Sequence, residues 1–239
     1  MNSLNAQLKR ELAQVLALLA DPAAGVRVVI FTGAGDRAFC AGADIKERSG
    51  EAIPAPRFYF HQKKAQDLFT AIENLEQPTI AAINGVALGG GAELALACDL
   101  RLAAEGARIG LPEARLGMIP LGGGTQRLPR LIGAARAKEM VFTGEPLDAD
   151  AALAVGLVNR VVPADGLMDA CRALAGKIAA MPPLAVTFAK RAINAGMQTD
   201  IASAMEFELY AGCILNDSED RQEGMRAFVE KRPPVFKGR

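Results

Sequence analysis

Short apolar runs alternate with amphipathic stretches along the first two thirds of the chain. Residues 26–33 (VRVVIFTG) form a β-branched run closed by a glycine, the pattern of a buried strand. Residues 79–88 (TIAAINGVAL) follow Gln77-Pro78 and read as a strand, a turn and a second short strand. The stretch DLRLAAEGARIGLPE gives another strand pair, with Glu105-Gly106 as its turn. Helical periodicity occupies residues 58–75, and a further helix opens at the glycine triplet Gly89-Gly90-Gly91, where Ala and Leu follow in a dense run. Strands alternating with helices predict an α/β body. After about Pro163 the pattern changes, and residues 167–180, 184–196, 201–215 and 218–231 are all helical in period. Asn216-Asp217 is placed to cap the last of these. The division expected is an α/β part over residues 1–163 and a helical part over 164–239. No exact sequence repeat accompanies it.

The N-terminal MNSLNAQLKRELAQVLALLADP is an amphipathic helical pattern with Glu11 inside it and no cleavage-site signature. It predicts a mature helix rather than a signal or transit peptide. At 239 residues the chain can bury a sizeable core. Lys plus Arg and Asp plus Glu both number 27, which removes any electrostatic case for nucleic acid or an anionic membrane surface. Charges also interrupt every apolar run well short of a bilayer span, so a cytoplasmic protein is expected. Four scattered cysteines without CxxC spacing argue against a disulfide framework or a zinc site. The single histidine, His61, leaves almost no material for serine–histidine chemistry. Carboxylates, backbone amides and lysines remain.

Two glycine-rich turns carry candidate chemistry. Gly33 to Ala38 fits GxGxxA after a strand, but residues 39–42 interrupt the helix that a dinucleotide site requires, and the Pro54–Pro56 region cannot be its second strand. A surface turn is the reading there. In Ala41-Gly42-Ala43-Asp44, by contrast, Gly42 frees the backbone before an expected helix, so the Ala43 N–H can face a cleft. The triplet at Gly90 also ends at a helix start, where the first N–H groups lack intrahelical acceptors. Two such amides aimed at one point make an oxyanion hole; two independent tight turns are the plainer alternative. Glu93 lies three residues after Gly90, on about the same helical face. Glu113 follows Pro112 and is placed to begin a short helix. Each carboxylate has an ordinary explanation as a favourable charge near a helix N-terminus, worth about 0.3 to 1 kcal/mol. Their apolar neighbours point further, because desolvation raises carboxyl pKa values toward the range useful for proton transfer.

Together AFCAGADIKE, NGVALGGGAELALACDLRLA, GLPEARLGMIPLGGGTQRLPRLIG and EDRQEGMRAFVEKRPP resemble the crotonase superfamily, and within it the enoyl-CoA hydratases, over nearly the whole chain. The resemblance implies a spiral of ββα units with a C-terminal helical region that forms trimers, usually paired into hexamers. It implies an oxyanion hole from the amides of Ala43 and Gly90, with Glu93 and Glu113 as the catalytic acids and no metal or redox cofactor. It places coenzyme A of the acyl-CoA substrate against Ala41, Asp44, Ile45 and Lys46, with Phe228 and Lys231 reaching its nucleotide part from a neighbouring subunit. Core packing and a solvated charge are the plainer roles for those last two. The glycines at 122–124 read as a loop near the site, without the lysine of a Walker A loop. Members of the superfamily usually carry a strand or hairpin ahead of the segment resembling MNSLNAQLKREL, so an exposed sheet edge is expected. A Δ3,Δ2-enoyl-CoA isomerase, a methylglutaconyl-CoA-type hydratase and a non-catalytic acyl-CoA-binding protein are the alternatives.

Overall fold

A computed structural model describes residues 1–44, 47 and 53–239. Its strands are β1 (Val29–Thr32), β2 (Ala38–Cys40), β3 (Thr79–Ile83), β4 (Val86–Leu88), β5 (Leu100–Ala104), β6 (Arg108–Gly110), β7 (Leu147–Asp148) and β8 (Arg160–Val162). They form two four-stranded sheets, in the orders β1-β3-β5-β8 and β2-β4-β6-β7. Every pairing is parallel except β6 with β7. The chain lays one strand in the first sheet, turns a corner into the second, and returns through a helix. Helix α2 (Ala55–Glu73) closes the first such unit and α3 (Gly90–Ala97) the second. This is the spiral of ββα units that the resemblance implies.

The corners correct one sequence reading. The Glu105-Gly106 turn exists, with the Ala107 N–H donating to Ala104 O at 3.0 Å, but β5 and β6 are not a hairpin. They belong to different sheets, as do β3 and β4. All five residues of β3 are buried, which suits a central parallel strand covered on both faces rather than a half-exposed hairpin arm. The GxGxxA segment is the matching corner of the first unit and runs into β2, not into a helix. Asn84 staples the two corners: its Nδ2 donates to Gly33 O and Gly35 O at 3.1 and 2.7 Å, and its Oδ1 accepts from the Gly33 N–H at 3.0 Å. Among the described residues strand β1 pairs with β3 alone, at the edge of its sheet, with Thr32 exposed.

One core lies between the two sheets and the helices, where Leu68, Phe69 and Ile72 of α2 meet Leu16 of α1 (Ala6–Leu19) and the apolar side of α3. The other face of the first sheet is covered by α7 (Leu167–Ala179), whose Leu167 and Cys171 join Ile80, Ala82 and Leu102. Between lie α4 (Gly124–Ile132), α5 (Ala134–Thr143) and α6 (Ala149–Ala154). Helices α8 (Pro183–Gly196) and α9 (Ile201–Asn216) pack on one another, and α10 (Glu219–Glu230) follows. Lys190 ties α8 to the body, its Nζ 2.7 Å from Asp99 Oδ2 and 3.1 Å from Gln77 O. The cap of α10 is Ser218, which accepts from the Arg221 N–H at 3.1 Å, instead of Asn216-Asp217. Those two residues are spent ending α9, which runs one residue past the expected stop. All four cysteines carry free thiols, and among the described residues no helix is long and apolar enough to cross a membrane.

Candidate active site

Each glycine of the opening triplet answers a separate spatial demand. Gly89 links β4 to α3 at φ +54°, a backbone conformation that side chains disfavour, and a Cβ there would sit 2.9 Å from Glu113 Oε1. Gly91 lets the Cys40 carbonyl of β2 press against the helix. Between them Gly90 begins α3, so its N–H has no intrahelical acceptor. Gly42 stands at φ +90°, where a Cβ would lie 2.6 Å from Leu88 O and 3.3 Å from Gly90 N. The Ala43 nitrogen is 3.8 Å from the point where a Gly90 Cβ would be. The two expected amides are therefore neighbours, brought together from segments almost fifty residues apart. Among the described residues neither N–H has a hydrogen-bond acceptor.

Glu93 projects from the first turn of α3 and is 4 % exposed. Its Oε1 accepts from the N–H groups of Gly122 and Gly124, at 2.7 and 2.9 Å. The sequence reading placed these glycines only near the site, and their part is larger. Both must be small: a Cβ on Gly122 would stand 2.5 Å from Glu93 Oε2 and from the Phe69 ring, and one on Gly124 would stand 3.0 Å from Glu93 Oε1. A run of glycines leading into a helix, with no lysine for phosphate, is the signal that could have identified them as donors to a carboxylate.

Glu113 enters on the 3₁₀ turn Pro112–Leu116, which Pro112 starts as expected. Burial pushes its carboxyl up to about 7; its own backbone hydrogen bond opposes the rise, and the nearby Glu93 charge adds to it. Its Oε2 is shielded from solvent and, among the described residues, has no hydrogen-bond partner. A buried oxygen left open in this way costs free energy unless something comes to pair with it. Two carboxylates on different elements thus converge beside the start of α3. One is fixed by amides, and the other can hold or release a proton near neutral pH.

The remaining candidates divide. The Ala41 N–H donates to Met1 O at 3.0 Å, and the Leu4 N–H to Gly42 O at 2.8 Å, so the N-terminal segment braces this loop alongside half-buried Asp44. Ile45 and Lys46 lie outside the described residues. Phe228 is 84 % exposed on α10, which rules out the core-packing role. Lys231 is exposed and ends that helix at φ +56°. Among the described residues no group of three His, Cys, Asp or Glu side chains is placed to hold a metal ion.

Comparison with known proteins bears on the fold and the family. The family model described as enoyl-CoA hydratase/isomerase matches residues 1–239. The crotonyl-CoA hydratase of Syntrophomonas wolfei is 45 % identical, over 99 % of this chain and 90 % of that protein. The short-chain-enoyl-CoA hydratase of Clostridium acetobutylicum is 44 % identical, over 97 % of this chain and 88 % of that protein. A crystal structure of an enoyl-CoA hydratase from Bacillus anthracis superposes with a TM-score of 0.95 at 47 % identity, covering 99 % of this chain and 91 % of that one. The full-length family match and the shared fold agree, and the chain belongs to the enoyl-CoA hydratase/isomerase family.

Proposed function

We propose that the chain is an enoyl-CoA hydratase that adds water reversibly across the double bond of a short 2-enoyl-CoA thioester, giving the 3-hydroxyacyl-CoA. The observation that carries this reading is the pairing of buried Glu93 and half-buried Glu113 beside two adjacent amides that have no acceptor among the described residues. The Ala43 and Gly90 N–H groups receive the thioester oxygen and stabilise the enolate-like charge it gains; losing one such donor typically costs about 10² to 10³ in rate. Glu93 and Glu113 hold the water between them. As the water oxygen bonds to the β-carbon, its proton passes to Glu93 while Glu113 delivers a proton to the α-carbon. The pair ends with its proton count unchanged, and one transfer from Glu93 to Glu113 restores the starting state. The carboxyl of Glu113, at about 7, suits a donor that must be recharged each cycle.

Coenzyme A is held along Ala41 to Lys46, and Phe228 and Lys231 reach its nucleotide part from an adjacent subunit of a trimer or hexamer. Exposed Met197, Ile201, Met205, Leu209, Tyr210 and Ile214 on and around α9 support such an assembly, since a patch of that kind on a monomer would face water. Residues 164–239 carry the assembly, apart from α7, which belongs to the sheet it covers. Both glutamates favour hydration over Δ3,Δ2-isomerisation, which needs a single proton shuttle. The test is crotonyl-CoA and a 3-enoyl-CoA offered separately, with loss of the conjugated absorbance followed for the first and its gain for the second. Faster loss from crotonyl-CoA is expected. Isomerisation without hydration would overturn the assignment.

A further inference from the structure

Glu93 is held by amides that are themselves held. On α2, Gln66, Phe69, Thr70 and Glu73 recur at the spacing of one helical face, and that face lies along residues 121–124. Gln66 Nε2 donates to Leu121 O at 2.8 Å. The Phe69 ring closes over Gly122. Glu73 acts through Arg127 on α4: the guanidinium Nη2 and Nε donate to Glu73 Oε2 at 2.6 and 3.2 Å, and Nη1 donates to Gly122 O at 2.9 Å. The Arg127 and Glu73 side chains are only 15 % and 30 % exposed, so solvent screens this pair less than a surface ion pair. Gly123, at φ +106°, leaves open the space the guanidinium fills.

We infer that Arg127, anchored by Glu73, is a positioning residue for Glu93: it fixes the Gly122 peptide so that the Gly122 and Gly124 N–H groups stay on Glu93 Oε1. The link is direct, because the carbonyl that Arg127 grips lies between the two donors: the Gly122 N–H precedes it in the same residue and the Gly124 N–H follows two residues on. A planar guanidinium does this better than an ammonium, since it engages Glu73 and Gly122 O at fixed angles to one another. Releasing the grip lets the loop drift and takes Glu93 off the water. The inference rests on the hydratase reading above, and its phenotype is specific: water addition suffers, while proton exchange at the α-carbon through Glu113 does not.

The test compares wild type with Arg127→Gln, Arg127→Lys, Glu73→Gln, Glu93→Gln and Glu93→Gln/Arg127→Gln, each shown by circular dichroism and size exclusion to keep wild-type fold and assembly. Arg127→Gln should lower kcat for crotonyl-CoA about 10²-fold, the cost of a displacement on the order of 1 Å at a catalytic group. Its KM should hardly move, and butyryl-CoA in deuterated water should still gain α-deuterium. Arg127→Lys should fall between it and wild type. The double variant should hydrate no more slowly than Glu93→Gln alone, since both changes remove one function. Multiplying losses in the double variant, a wild-type kcat in folded Arg127→Gln, or parallel loss of α-exchange would overturn the inference. Should Arg127→Gln fail to fold, Arg127→Lys and Glu73→Gln decide: reduced kcat with KM and exchange kept supports it, and wild-type kcat in both overturns it. A wild type that hydrates nothing would instead sink the hydratase reading, before any variant is compared.

Discussion

A partly desolvated carboxyl poised near neutral pH must weaken the fold as it ionises, and Glu113 offers a measurable case. Its pKa is about 7 in the folded chain against an ordinary 4.5. Below 4.5 the group is protonated whether folded or unfolded and changes nothing. Between 4.5 and 7 the folded chain holds the proton more tightly, so stability falls as pH rises, and above 7 the full cost is present. At about 1.4 kcal/mol per pH unit the interval comes to roughly 3 kcal/mol. Water reaching the open side of the residue screens part of this and leaves about 2 kcal/mol. Glu113→Gln keeps the shape of the side chain and removes the titration. Urea unfolding of wild type and Glu113→Gln at pH 5 and pH 8, at one protein concentration, isolates the effect as a difference of differences in which all other groups cancel. The variant should gain about 1.5 kcal/mol on wild type between the two pH values, since part of the cost is already present at pH 5. An unchanged gap, or one of opposite sign, would refute the claim that Glu113 is desolvated.

Other outcomes follow from the same geometry. Glu93→Gln should lose hydration by about 10² to 10⁴, as for removal of a general base, yet retain α-deuterium incorporation into a saturated acyl-CoA, whereas Glu113→Gln should lose both; equal exchange in the two variants would refute the division of roles. Gly122→Ala drives a methyl to within 2.5 Å of Glu93 Oε2 and the Phe69 ring, and should cost about 10² in kcat with little change in KM, a loss that steady-state kinetics would detect. Gly90→Pro removes one proposed oxyanion donor, and a folded variant with near wild-type hydration would count against that role. Light scattering should give three or six times the 25.1 kDa chain mass, and a monomer at working concentrations would contradict the reading of the exposed C-terminal helices.

Much of this was open to reading from the chain because the relevant signals are local. The β-branched run before Gly33, the apolar stretch of β3 and the amphipathic N-terminal helix are decided by neighbouring residues, and all three form where expected. Glu93 and Glu113 stood out because charge inside apolar sequence is rare. Pairing was not legible, since Asn84-Gly85 and Glu105-Gly106 look alike whether the next strand folds back or turns into another sheet. Strands β2, β7 and β8 were missed because two or three residues are too few to establish a period. The grip of Gly122 and Gly124 on Glu93 was only partly legible: the glycine run signals exposed amides ahead of a helix, but every residue except proline has an amide, and the fold decides which ones face a carboxylate. Ser218 took the cap from Asn216-Asp217 because α9 persisted, and the length of a helix is settled by what it packs on as well as by its end residues.

The central claim is that this chain joins water to a conjugated thioester with Glu93 and Glu113. Incubating crotonyl-CoA with wild type and with the Glu93→Gln/Glu113→Gln variant in heavy-oxygen water, and reading product mass and fragmentation, tests it most directly. Wild type should yield 3-hydroxybutyryl-CoA carrying one heavy oxygen on the β-carbon, and the double variant should yield almost none. Unchanged crotonyl-CoA from active-site-intact protein, or equal labelling by the double variant, would contradict the account.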